Sequence, residues 1–175
     1  RDLQLPVRNF GFKGQGLLEP DVLNFIIEEE ASAYVLDCLP NLVFESIDTV
    51  VNLTINSYNQ IRAKWPETPI IFVEFGGYTN FEFNLQYRTY TQNMNNATRI
   101  ARKKLEEQKA TNVYFVSYED LGIISDDISD SVHPMDNGMY KQKNAIEKVL
   151  REIFNMPQTS ESLPYNTQYP ITQHR

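Results

Sequence analysis

Cysteine is nearly absent: the chain has one, Cys38, so no disulfide can close within it. That thiol lies in the apolar run AYVLDCL, where a buried, inert cysteine is expected. Basic residues are scarce beside acidic ones, 16 against 23, for a net charge of −7. Such a balance disfavours phosphate backbones and anionic lipid. The densest basic cluster is Arg99, Arg102, Lys103 and Lys104, and Glu106 and Glu107 follow at once. It reads as a solvated helix face, so neither nucleic acid nor membrane is an expected partner. Long apolar runs are also missing. The stretch from Ile70 to Val73 falls far short of the roughly 20 residues that span a bilayer. No G-K-[ST] motif occurs, which excludes the usual phosphate loop. Histidine is rare as well, with His133 and His174 alone.

What remains is an ordinary globular composition, 41% hydrophobic and 22% charged over 175 residues. That suits one domain with its own core. No internal repeat is found. The segment Pro6 to Phe12 reads as a strand running into a glycine-rich turn, Gly11 to Gly16. Pro20 to Glu30 reads as a helix with proline in its first turn. Ala33 to Asp37 is a short buried strand. Phe44, Ile47, Val51, Ile55, Tyr58 and Ile61 recur every three or four residues and mark a helix to about Trp65. Pro69 to Glu74 is a strand, Arg88 to Gln108 a helix, and Asn112 to Val116 a strand. Asp136 is positioned to cap a last helix with the stripe Met139, Ile146, Leu150 and Ile153. Strands that are continuous apolar runs, alternating with helices, predict a three-layer α/β/α domain with a parallel sheet. The domain is assigned to residues 1–155. Residues 156–175 are polar, contain Pro157, Pro164 and Pro170, and read as an extension or linker. His174 lies there, away from any catalytic setting.

In such folds ligands sit beyond the carboxyl ends of the strands, and the unusual residues gather on that rim. The stretch DSVHPMDNGM holds Asp130 three residues before His133. Histidine titrates near neutrality, and an aspartate in the same turn can hold one ring nitrogen while the other faces substrate. Glycines Gly11, Gly14 and Gly16 form a G-x-x-G-x-G turn. It is either a plain turn or a place where a backbone N–H meets a substrate oxygen. In DCLPN, Pro40 ends the strand and presents Asn41, either a turn former or an amide donor to an oxyanion.

Together these stretches carry a resemblance. NFGFKGQG, VLDCLPN and DSVHPMDNGM stand in the order and spacing of the SGNH (GDSL-type) hydrolase superfamily, in its bacterial lipase/acylhydrolase branch. The likeness runs from about Asn9 to Phe154. It implies a flavodoxin-like parallel sheet and a serine esterase. It implies that Gly14 gives a backbone oxyanion donor and Asn41 a side-chain one, with His133 as general base and Asp130 orienting it. Two departures stand out. Lys13 replaces the family's serine beside the oxyanion glycine. The G-x-S nucleophile and its strand, the first of the family pattern, are missing from this chain. The expectation is a piece of a longer protein, with the missing strand lying between the first two strands here or replaced by pairing between copies. The tail YPITQHR resembles a passage that leads to a further domain.

The resemblance implies an ester of a short acyl or acetyl group, carried on a small molecule or a carbohydrate, with no cofactor. Tyr78, Phe81, Phe83 and Tyr87 are candidates to line its subsite. The alternative is a non-catalytic carbohydrate-binding or interaction module of the same fold. Asp126, Asp127, Asp130, His133 and Asp136 are oxygen-rich enough to attract calcium, but they read better as caps and solvated loop, and no metal is assigned. Compartment is unknown from the residues; the resemblance favours a periplasmic or secreted protein. The N-x-[ST] sequons at Asn52 and Asn96 fall on predicted helices and carry little weight.

Overall fold

A computed structural model describes residues 3–11 and 14–158. Phe12, Lys13, His174 and most of the expected C-terminal extension lie outside the described residues. The elements run α1 (Pro20–Ile26), β1 (Tyr34–Leu36), a 3-10 turn (Leu39–Leu42), α2 (Ile47–Lys64), β2 (Ile70–Val73), α3 (Leu85–Glu107), β3 (Val113–Val116), α4 (Tyr118–Leu121), a second 3-10 turn (Ser125–Asp127) and α5 (Asp136–Ile153).

Local chemistry sets most boundaries. Pro20 opens α1, where its missing N–H costs no bond. Ser46 caps α2 by accepting the Thr49 N–H at 3.1 Å. Asn84 caps α3 by accepting from Gln86 and Tyr87. That cap starts α3 at Leu85, three residues before the Arg88 expected from periodicity. Asp136 is not the cap of α5. Met135 stands there, and Asp136 occupies the first turn, where a carboxylate faces the positive end of the helix dipole.

All three strands pair in parallel in the order β1-β2-β3. Central β2 is buried throughout. Its alternate residues part the core. Ile70 and Phe72 pack with Leu23, Tyr58, Ile61 and Leu105 from α1, α2 and α3. Ile71 and Val73 pack with Val116, Leu121 and Ala145, toward α5. Each fully buried side chain of this kind contributes roughly 1.5–3 kcal/mol. This is the expected parallel sheet with helices on both faces.

Three sequence expectations fail here. Residues 6–11 form no strand; Pro6 offers no N–H and Val7 is 82% exposed, with no ladder to join. Phe44 is 84% exposed because it precedes α2 and stands on the rim. Met139 points away from the core, at 54% exposure, while Ile146, Leu150 and Ile153 pack as expected. Among the described residues no helix is long and apolar enough to cross a membrane.

Candidate active site

The loops that follow the carboxyl ends of the three strands form one rim. The loop after β3 and the second 3-10 turn holds His133. Its backbone is shaped by a bridge between Ile128 and Pro134 and by Ser129, whose N–H and hydroxyl both donate to the His133 carbonyl. Thr79 N–H donates to the Ser131 carbonyl at 2.9 Å, which ties this loop to the one after β2. Ser131 adopts φ 83° to make the turn.

Within that turn Asp130 meets His133 twice. Its carboxylate accepts the His133 backbone N–H at 3.0 Å. It also lies 2.7 and 2.9 Å from the ring Nδ1. The backbone N–H first, and the ring second, hold the Asp130 carboxyl below its ordinary range. An ionised carboxylate only accepts, so Nδ1 carries a proton, and in the neutral ring the lone pair falls on Nε2. Nε2 has no hydrogen-bond partner among the described residues. Both side chains are open to water, 75% exposed for His133 and 60% for Asp130.

Gly14 and Asn41 are brought together. Gly14 has φ +76°, and a Cβ placed there would stand 3.9 Å from Asn41 Oδ1. The Asn41 amide donates to the Gly16 carbonyl at 3.3 Å. An amide nitrogen has two hydrogens, so one donor remains. No hydrogen bond joins His133 to either residue, but their supports interlock. Gln142 of α5 donates to Asp37, just past β1, at 2.5 Å. Val132 packs on the cluster that contains Leu39 and Leu42, which flank Asn41. The surrounding protein pushes the Asp37 carboxyl up, and the Gln142 bond opposes it; the side chain is open to water, which tempers the shift. Cys38 is half-buried rather than buried. Burial, with Asp37 beside it, pushes its thiol up to about 12, so it stays protonated and unreactive.

The four aromatic candidates divide. Tyr78 and Tyr87 stack at 4.5 Å. Phe81 turns aside to meet Tyr118 edge-on at 6.2 Å. Phe83 is 91% exposed and has no ring partner among the described residues. Sequence reasoning missed Tyr90 and Phe44, which extend the tyrosine pair: Tyr90 lies 6.4 Å from Tyr78 and 5.7 Å from Phe44. The spacing of Tyr87 and Tyr90, and the position of Phe44 three residues after Asn41, were the available signals. Also missed was an ion-pair network. Glu74, at the end of β2, has a side chain only 5% exposed and binds Arg99 at 2.8 Å. Arg99 also binds Glu119, and Glu74 accepts the Tyr118 N–H. Arg99 is thus a structural tether, not part of a solvated basic face.

The acidic set near His133 does not converge. Asp127 is held by Lys141, Asn137 and the Ile124 N–H, while Asp130 serves His133. Among the described residues no group of three metal-ligating side chains is placed to hold an ion.

Residues 1–151 match the GDSL-like lipase/acylhydrolase family. Among solved structures, a Bacteroides ovatus protein described as a GDSL-like lipase is 25% identical with a TM-score of 0.73, over 84% of this chain and 43% of that one. The salicylyl-acyltransferase SsfX3 from a tetracycline biosynthetic pathway is 12% identical with a TM-score of 0.55, over 81% of this chain and 43% of that one; this is a likeness of fold alone. The chain therefore spans less than half the length of either structure. Among curated proteins none matches.

Proposed function

The chain belongs to the GDSL-like lipase/acylhydrolase family, and on that footing we propose that it supplies the acid–base and oxyanion parts of a serine esterase. The substrates are esters of short acyl groups, acetyl among them, on a small molecule or a carbohydrate. The observation that carries this reading is the Asp130–His133 pair, with Nδ1 engaged and Nε2 free. His133 Nε2 takes the proton of a serine hydroxyl as that oxygen attacks the ester carbonyl. The Gly14 N–H and the spare Asn41 N–H donate to the developing oxyanion, and one such donor lowers the barrier by roughly 2.7–4 kcal/mol. The protonated ring then gives its proton to the leaving alcohol. Water, activated by the same nitrogen, frees the acyl group.

The serine is proposed to come from sequence outside these 175 residues. Support comes from the serines present. Ser46 and Ser117 cap helices. Ser57 is buried and donates to Leu53. Ser125 binds Asn80 and Glu82, and Ser129 binds the His133 carbonyl. Among the described residues no serine bonds the His133 ring. A serine-directed fluorophosphonate tests the assignment. The 175-residue chain should remain unlabelled. A longer protein containing it should be labelled, and His133→Ala should abolish that labelling. Labelling of the 175-residue chain itself would overturn the assignment of the nucleophile.

A further inference from the structure

On the side of the rim where Phe81 turns away, a cavity of about 290 Å³ opens between α3 and the start of α4. Its size sits near the lower end for ligand pockets, about 300–1,000 Å³, so it suits a single small ring. Two kinds of surface line it. One wall is aromatic, Phe81 and Tyr118, set edge to face with an interplanar angle of 74°. The other is one face of α3, where Gln92, Asn96 and Arg99 follow at helical spacing. The amides of Gln92 and Asn96 and the Tyr118 hydroxyl have no hydrogen-bond partner among the described residues. Arg99, by contrast, is committed to Glu74 and Glu119.

Charge narrows the ligand. The charged residues of the lining are Arg99 and Glu119, which pair with each other, and Arg99 also holds the buried Glu74, so no free cation is offered to a phosphate or carboxylate. The carboxylates are held by Arg99, so none is spare for a cation. A neutral ligand remains, with several hydroxyls and one apolar face. Two rings at a steep angle form a corner rather than a slot, which fits a puckered ring better than a flat base between parallel faces. We propose that this cavity binds a pyranose ring, with its C–H face against Phe81 or Tyr118 and its hydroxyls bonded to Gln92 and Asn96. Each amide offers both donors and an acceptor, which matches neighbouring hydroxyls. The site needs neither a nucleophile nor ester chemistry, so it stands whether or not the esterase reading does.

The experiment is a ¹H–¹⁵N titration of the 175-residue chain with methyl β-xylopyranoside, methyl β-glucopyranoside and methyl α-mannopyranoside, with adenosine as a flat-ring control. Saturable shifts of the Gln92 and Asn96 side-chain amides are expected for at least one glycoside, with a midpoint in the millimolar range typical of so small a ligand. Both side chains are solvent-exposed, so Gln92→Ala with Asn96→Ala should leave the melting temperature unchanged while weakening binding about tenfold. Phe81→Ala, which removes the apolar wall alone, should weaken it as well. The proposal fails if no glycoside saturates, if adenosine alone binds, or if binding survives the double substitution unchanged. No ester is present in this measurement, so its failure leaves the fluorophosphonate test untouched.

Discussion

Asp130 does two things from one side chain: it closes the turn through the His133 backbone N–H and it holds the ring Nδ1. These roles separate on substitution. In Asp130→Asn the amide oxygen still closes the turn, but the negative charge that stabilises an imidazolium is gone. The expected result, in a longer protein that carries the nucleophile, is a fall in kcat on p-nitrophenyl acetate approaching about 10⁴-fold, as for triad aspartates, with an unchanged melting temperature. A loss of less than tenfold would reduce Asp130 to a turn former. Gly14 is a second case. Its φ of +76° strains any residue with a Cβ by about 1–2 kcal/mol. Gly14→Ala should therefore lower unfolding free energy by that amount in urea titrations. Both positions were legible in the sequence because each depends on a turn a few residues long. The Glu74–Arg99–Glu119 network was not. Its members lie 25 and 20 residues apart, and only the packing of α3 beside β2 brings them together. Arg99→Ala leaves the Glu74 carboxylate buried without its partner, and should cost about 3 kcal/mol, the lower end for a broken buried pair, since Arg99 itself is half-exposed.

At the scale of elements, the start of α5 explains why HPMDNGM reads as it does. Gly138 lies so close to the second 3-10 turn that a Cβ would fall 2.7 Å from the Asp127 carbonyl oxygen and 2.9 Å from Pro134 Cβ. Backbone cannot yield as a side chain can, so Gly138→Ala should destabilise by about 1–3 kcal/mol and loosen the His133 loop. Asp127 fastens the same joint. Its side chain is 3% exposed and lies 2.5 Å from Lys141. Burial pushes its carboxyl up, but bonds from Lys141, the Ile124 N–H and Asn137 together outweigh that and leave it lowered. A carboxyl lowered on folding contributes stability above its unfolded pKa, about 3.9. The contribution is lost as pH falls through the folded value. Asp127→Asn should therefore cost about 3 kcal/mol at pH 7, and the gap from the parent chain should shrink below about pH 4. Urea unfolding at the two pH values measures it; an equal gap at both would exclude the ion pair as the cause. The helices and β2 were readable because period and caps are local signals. The expected strand at Pro6 to Phe12 was not, because a strand exists only where a neighbour accepts its ladder.

At the scale of the molecule, the two faces of the sheet are unequally covered. Tyr34 and Leu36 of β1 pack into the α1–α2–α3 side. Val35 points the other way, where α5 covers β2 and β3, and is 40% exposed. Among the described residues β1 pairs with β2 alone, so an open edge and an apolar side chain coincide. Unpaired strand edges invite pairing with another chain, and lysine is a common guard against it. The parallel three-layer arrangement was legible from the apolar runs; which strand stands at an edge was not, since every strand here reads as apolar. Two substitutions make the asymmetry measurable. Ile71→Ala, at a fully buried position, should cost about 2–5 kcal/mol. Val35→Lys in the same 175-residue chain should change stability by no more than about 0.5 kcal/mol. It should also abolish the concentration-dependent self-association expected of the parent edge in light scattering. In a longer protein whose added sequence covers that edge, Val35→Lys should instead cost several times more, because the lysine would then be buried. Equal, small costs in both proteins would mean that nothing covers β1 in either.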